Sequence, residues 1–321
     1  MTARFNLLLA GALVFAILLS LMAGKVWIPL HDWASGDLAS LIILELRLPR
    51  TLLGGAIGAA LGIAGAVMQG YLRNPLADPG LFGVSSSAAL GAVSSLFFGY
   101  AASALLLPLF ALAGAAIGMA LLALLAGRSG SLILFTLAGM ILSSLTGSLT
   151  ALMISLAPTP FAASEIITWL MGALTDRSWD DVRLALPVMG LGMAVLAITA
   201  RALDALTLGE AAARSMGIDT VRLQWLVVLG VGLTVGASVA AAGVIGFVGL
   251  IVPHLVRPLV GHKPSAVLLP SALAGALLVV LADSIVRILP SAGELRLGIA
   301  MSLLGAPFFL ALLYRMRREL A

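Results

Sequence analysis

Apolar residues occupy this chain in long blocks, without the strict alternation that marks half-buried strands. Ten blocks recur, at residues 5–23, 50–72, 81–98, 104–126, 132–156, 182–200, 223–242, 244–259, 266–288 and 297–314. A helix needs about 20 apolar residues to cross the hydrocarbon core, and nearly every block supplies them. The pattern predicts an all-α polytopic membrane protein with about ten transmembrane helices, one transmembrane domain over residues 1–321. The first block has 19 residues, more than the 7 to 15 apolar residues of a signal peptide, so it reads as an uncleaved first helix. The eighth is short and holds Pro253 and His254, which predicts a short or broken helix.

Composition agrees: 61% of the 321 residues are hydrophobic and 10% charged, against about 25% charged in soluble domains. A water-soluble globule is excluded. With ten spans, the side holding Arg4 also receives Arg73, Arg128, Arg201, Arg214, Arg222, Arg257, Lys263, Arg315, Arg317 and Arg318, 11 basic residues in all. The other side receives seven, and nine of the 14 acids. The positive-inside rule then places both termini in the cytoplasm, in an inner (plasma) membrane with lipid around the chain. The net charge of +4 gives no ground for a nucleic-acid partner. Glycines at four-residue spacing, Gly54, Gly58 and Gly62, predict close helix packing where lipid offers no hydrophobic drive.

Several chemistries are missing. The chain has no cysteine, and neither lysine, Lys25 or Lys263, ends a Gly-rich phosphate loop, so an ATP-driven function needs another subunit. The three histidines, His31, His254 and His262, do not have the spacing of a zinc protease, no metal site is expected, and no Gly-x-Ser-x-Gly elbow exists. No catalytic constellation assembles. An ion- or proton-coupled carrier would need a carboxylate at membrane depth, and Asp283 is the main candidate. Arg287, four residues on, makes a local ion pair the simpler expectation.

Two connections do not read as simple turns. The longest cytoplasmic one, residues 201–223, holds a short helix-former at 210–216 between Gly209 and Gly217. Seven residues cannot hold a helix alone in water, so this piece must dock on something. The other is Arg73-Asn74-Pro75-Leu76-Ala77-Asp78-Pro79-Gly80, whose prolines and glycine must end one helix and re-enter the next.

At these residues a resemblance emerges. Arg47-Leu48-Pro49-Arg50-Thr51-Leu52, Gly65-Ala66-Val67-Met68-Gln69 and Asn74-Pro75-Leu76-Ala77-Asp78-Pro79-Gly80-Leu81-Phe82-Gly83-Val84 resemble the FecCD-type permease subunits of iron-siderophore, haem and cobalamin ABC importers. Trp169-Leu170-Met171-Gly172, Gly209-Glu210, Ala213-Arg214-Ser215-Met216-Gly217, Gly246-Phe247-Val248-Gly249-Leu250-Ile251-Val252-Pro253-His254, Leu281-Ala282-Asp283 and Gly305-Ala306-Pro307-Phe308-Phe309 follow in the family's order. The likeness covers nearly the whole chain; one departure is Leu295-Arg296-Leu297, where relatives often show a proline before the last helix.

The resemblance implies a non-catalytic subunit, itself binding no cofactor, that works as a homodimer or a pair of similar subunits. Two cytoplasmic ATPases would hold ATP and Mg, and an external or periplasmic binding protein would deliver the substrate. It implies that Gly209, Glu210, Ala213, Arg214, Ser215, Met216 and Gly217 couple to the ATPase, and that Arg47, Arg50 and Arg296 receive acids of the binding protein. Pro49 at the helix start would fix the first two. It also points to a path along the fifth span, at Gly139, Ser143, Ser144, Gly147 and Ser148, with Met68 and Gln69 contributing from the second.

Overall fold

The computed structural model describes residues 2–33, 38–100, 103, 105–127, 132–289 and 294–320. Arg128, counted above among the cytoplasmic cations, lies outside them. All regular elements among the described residues are helical: α1 (Thr2–Met22), α2 (Leu38–Leu41), α3 (Leu48–Tyr71), α4 (Val84–Phe97), α5 (Leu106–Ala126), α6 (Leu132–Ser155), α7 (Pro160–Leu170), α8 (Trp179–Ile198), α9 (Ala200–Leu206), α10 (Glu210–Ser215), α11 (Thr220–Ala242), α12 (Val248–Val260), α13 (Pro264–Ile288) and α14 (Leu297–Leu320). Seven helical segments are long and apolar enough to cross a membrane, and the apolar helices Val84–Phe97, Val248–Val260 and Leu297–Leu312 are three shorter ones. Each of the ten apolar blocks corresponds to one of these, and α7 and α9 are additional.

The centre of the bundle is α3, most of whose side chains are buried, packed against α13 and also touching α8, α11 and α12. Glycine explains how closely. A Cβ on Gly58 would stand 2.2 Å from the carbonyl oxygen of Gly275, one on Gly275 would stand 2.2 Å from that of Gly58, and one on Gly62 would meet Ser271 O at 2.2 Å. The α3–α12 crossing is similar, with Gly65 against the Gly249 carbonyl at 2.0 Å. Backbone lies on backbone, and dispersion over those contacts replaces a hydrophobic drive that lipid cannot supply. By contrast, α1, α5, α6 and α8 turn much of their apolar surface outward, as lipid- or partner-facing helices do.

The second span differs from its expected start. Helical structure begins at Leu38 and runs unbroken to Tyr71, 34 residues, so Pro49 lies inside a continuous helix. Residues Ile42–Arg47 take the wider π form, in which the Leu48 N–H donates to Ile43 O. In that register the donor for the Leu44 carbonyl would be Pro49, which has no N–H. Trp179 at the start of α8 fills the gap, its indole Nε1 donating to Leu44 O at 3.0 Å. The eighth span is short, as expected: α12 starts only at Val248, after Phe247 in a left-handed conformation (φ 68°), and carries Pro253 and Pro258.

Candidate functional site

At the outer end, α1, α3, α13 and the segment before α14 meet around a charged cluster. Arg47 is 8% exposed, and its guanidinium donates to the carbonyls of Leu21 and Met22 at 2.8 Å and of Val26 at 2.6 Å. Those oxygens lie at and just beyond the end of α1, where carbonyls lack helical donors, so a cation there is favoured by hydrogen bonding and by the helix dipole. Arg50, also 8% exposed, grips Asp283 of α13 through Nε (3.1 and 3.0 Å to the two oxygens) and Nη2 (2.8 Å). Its Nη1 lies 2.8 Å from Glu294, which also accepts from Thr175 Oγ1 at 3.3 Å. Arg287 pairs with Asp283 at 3.2 Å and donates to the Ser20 carbonyl at 3.0 Å and to the Ser20 hydroxyl.

This corrects two expectations. Arg47 and Arg50 are expected from the resemblance to receive acids of the binding protein, yet both guanidiniums are consumed inside the bundle, because a buried cation must be hydrogen-bonded to be tolerated. Of the three arginines, Arg296 alone is partly exposed. Asp283 does pair with Arg287, but its bidentate partner is Arg50 from a different helix, a contact that sequence spacing could not reveal. Two guanidiniums thus clamp the one carboxylate and tie α3 to α13.

The helices approach the inner end at α9 and α10. Asp204 of α9 accepts the Ser265 N–H at 2.9 Å and pairs with Lys263 at 3.3 Å, tying α9 to the start of α13. The six-residue α10 follows, with Ala213 buried, Arg214, Ser215 and Met216 exposed, and Glu210 half-buried 3.9 Å from Arg214. Gly209 (φ 101°) and Gly217 (φ 83°) occupy left-handed backbone on either side, a region that costs L side chains energy. Leu208 and Met216 are 68% and 61% exposed beside them, apolar surface held outward at the basic end.

Among the expected path residues the structure separates two groups. Ser144, Gly147 and Ser148 are exposed on α6 and Ser143 is half-buried. Met68 and Gln69 are buried and line no open surface, a correction. Gln69 is a strut: its amide lies 3.3 Å from the Gly249 and Leu250 carbonyls, and its oxygen accepts from Arg257 at 2.9 Å, joining α3 to α12. Gly139 is covered by Phe82, whose ring lies 2.7 Å from where a Cβ would stand. The turn at 73–83 is thus seated on α6. Within it Asp78 accepts the Gly80 N–H at 2.7 Å, and burial raises its carboxyl above the ordinary range while that hydrogen bond pulls the other way. Asp78, Phe247, Gly147 and Thr150 line a cavity of about 300 Å³ between this turn and α6.

Sequence reasoning missed α7 and, beside it, an outer cavity of about 400 Å³ lined by Trp169, Glu165, Asp176, Arg177 and Arg296. A composition signal existed, charged residues between two spans, but no spacing joined residue 165 to residue 296.

A glycine-seamed helical bundle with a clamped outer end and a small apolar foot at its basic inner end defines a membrane permease subunit that lacks a phosphate-binding loop. The chain belongs to the FecCD transport family, whose model matches residues 12–315. It is 39% identical over 312 residues to the Fe(3+) dicitrate transport system permease protein FecD of Escherichia coli (strain K12), covering 95% of this chain and 96% of that one. It is 38% identical over 316 residues to the vitamin B12 import system permease protein BtuC of Vibrio cholerae, covering 97% and 94%. A solved structure described as an inward-facing conformation of a metal-chelate type ABC transporter superposes with a TM-score of 0.88 at 32% identity, over 98% of this chain and 99% of that one. The protein is a multi-pass inner-membrane permease of the ABC importer class.

Proposed function

We propose that this chain moves a metal chelate, such as a ferric siderophore, ferric citrate, haem or cobalamin, into the cytoplasm by alternating access. Iron dicitrate and vitamin B12, named for the two relatives, share one chemistry, a metal ion wrapped in an organic ligand. Two copies of the chain act with two cytoplasmic ATPases, which hold the ATP and Mg, and with an external binding protein; the permease contributes no cofactor. The observation that carries this reading is α10: a helix too short to stand alone, hinged by two left-handed glycines, with Leu208 and Met216 exposed at its ends. Closure of the ATPases on ATP would push this foot and rock the spans. The outer face, with Arg296 accessible, receives the binding protein.

The test is co-purification of the chain with an ATPase subunit, and uptake of chelated metal by the assembled complex. Gly209→Leu and Gly217→Leu are expected to keep the chain in the membrane and to abolish ATP-dependent uptake. Undiminished uptake in both would show that α10 does not transmit the ATPase stroke.

A further inference from the structure

At the inner end of α3 a buried hydroxyl has no acceptor. Tyr71 is 2% exposed, and among the described residues its phenol oxygen makes no hydrogen bond. Buried tyrosine hydroxyls ordinarily find a partner, because a bond left unmade costs the desolvation of the group. The ring itself is well seated. It meets Phe135 of α6 edge-on with centroids 5.5 Å apart, and Phe135 lies 5.5 Å from Phe82, the residue that covers Gly139. Three rings thus join the end of α3 to α6 and to the turn at 73–83.

The complementary group lies on α10. Among the described residues, Glu210 is the charge whose field reaches the Tyr71 hydroxyl. It is half-buried and three residues from the buried Ala213, on the face of α10 that turns towards the bundle. Its own pairing, with Arg214, is long at 3.9 Å. A donor without an acceptor therefore stands near an acceptor that is only loosely held. Both flanks of α10 have room to move, since nothing lies within 4 Å of a Cβ at Gly209 or Gly217. We infer that Tyr71 and Glu210 form a latch: when α10 is pressed towards the bundle, the Tyr71 hydroxyl donates to the Glu210 carboxylate, and the three rings carry the displacement to α6 and the 73–83 turn. The bond is absent from this arrangement and present in the pressed one, so it favours the latter. Tyr71 is on this account a positioning residue for transport, and the inference rests on the coupling reading of α10 above.

The test has two arms. On the full-length chain in detergent, Tyr71→Phe removes a buried donor that lacks an acceptor, so its melting temperature is expected to equal or exceed the parent's. A lower one means that the hydroxyl is already bonded in the free chain, and overturns the latch. In the complex with its ATPases, melting is followed with and without ADP and vanadate, which hold the ATPases closed. The rise that trapping gives the parent is expected to shrink in Tyr71→Phe and in Glu210→Ala, and to shrink no further when the two are combined. Glu210→Gln should keep most of the rise, because its amide oxygen still accepts. Losses that add, or a full rise in both single variants, overturn the latch. Non-additive losses together with undiminished uptake in Gly217→Leu uphold the latch and count against the coupling reading instead.

Discussion

Two charged regions of the molecule, the outer arginine cluster and the α10 segment, treat charge in opposite ways. At the outer end three arginines are pulled into the bundle and held by carboxylates and carbonyls, joining α1, α3 and α13 into one block. At the inner end Arg214 is exposed, its one pairing is long, and the backbone around it turns on glycine. Buried pairs are costly to break and so fix geometry, whereas exposed charges contribute little to stability and remain available to a partner. The outer cluster is thus built to stay put, while the α10 segment keeps its charge and its backbone turns at the surface.

If that contrast is right, the largest effect comes from breaking the outer clamp. Asp283→Ala should destabilise the protein by about 3–5 kcal/mol, since it leaves the buried Arg287 guanidinium without a carboxylate, and Arg50→Ala by less, since Asp283 keeps Arg287. Thermal unfolding in detergent reads this, and replacing Arg50, Asp283 and Arg287 together with leucine should recover much of the loss; an Asp283→Ala variant that melts like the parent would mean the clamp is solvated. Next comes the glycine seam. Gly65→Ala puts a Cβ 2.0 Å from the Gly249 carbonyl, and overpacking of this kind costs about 1–3 kcal/mol, visible as a lowered melting temperature.

A smaller loss, about 1 kcal/mol, is expected for Gly217→Ala, because nothing lies within 4 Å of a Cβ there and the only penalty is conformational. Coupling of ATP hydrolysis to uptake should fall well before stability does; a parallel fall in both would make α10 an ordinary structural turn. The smallest effect belongs to Arg296→Glu, half-exposed and without an ion pair among the described residues, whose stability should stay within about 0.5 kcal/mol of the parent. Binding of the external protein should weaken in that variant, more at low salt than at high, and salt-independent binding would remove Arg296 from the docking face.

Sequence patterning reached the bundle because a bilayer imposes length and apolarity on each span, and all ten blocks became helices. It also reached the short inner helix, expected at 210–216 and found at Glu210–Ser215, since its glycines mark both ends. What it missed depends on contacts between distant segments. Arg50 and Asp283 are 233 residues apart, and nothing near either one announces the other. The helix before Pro49 was hidden because a proline reads as a start, whereas here a π turn and the Trp179 donor take up the hydrogen bond that the proline cannot make. Met68 and Gln69 looked like path residues through their motif, yet Met68 is buried in the core and Gln69 is held against α12 by its hydrogen bonds, close to the Gly65–Gly249 contact.

That glycine seam has a mechanical consequence. With carbonyls seated where Cβ atoms would be on both α3 and α13, a slide of even half a helical turn, about 2.7 Å, would drive a side chain into the opposite backbone. Those two helices form a stator. Under the coupling proposed for α10, the stroke would swing the outward-facing helices, α6 with its exposed serines among them, around that stator.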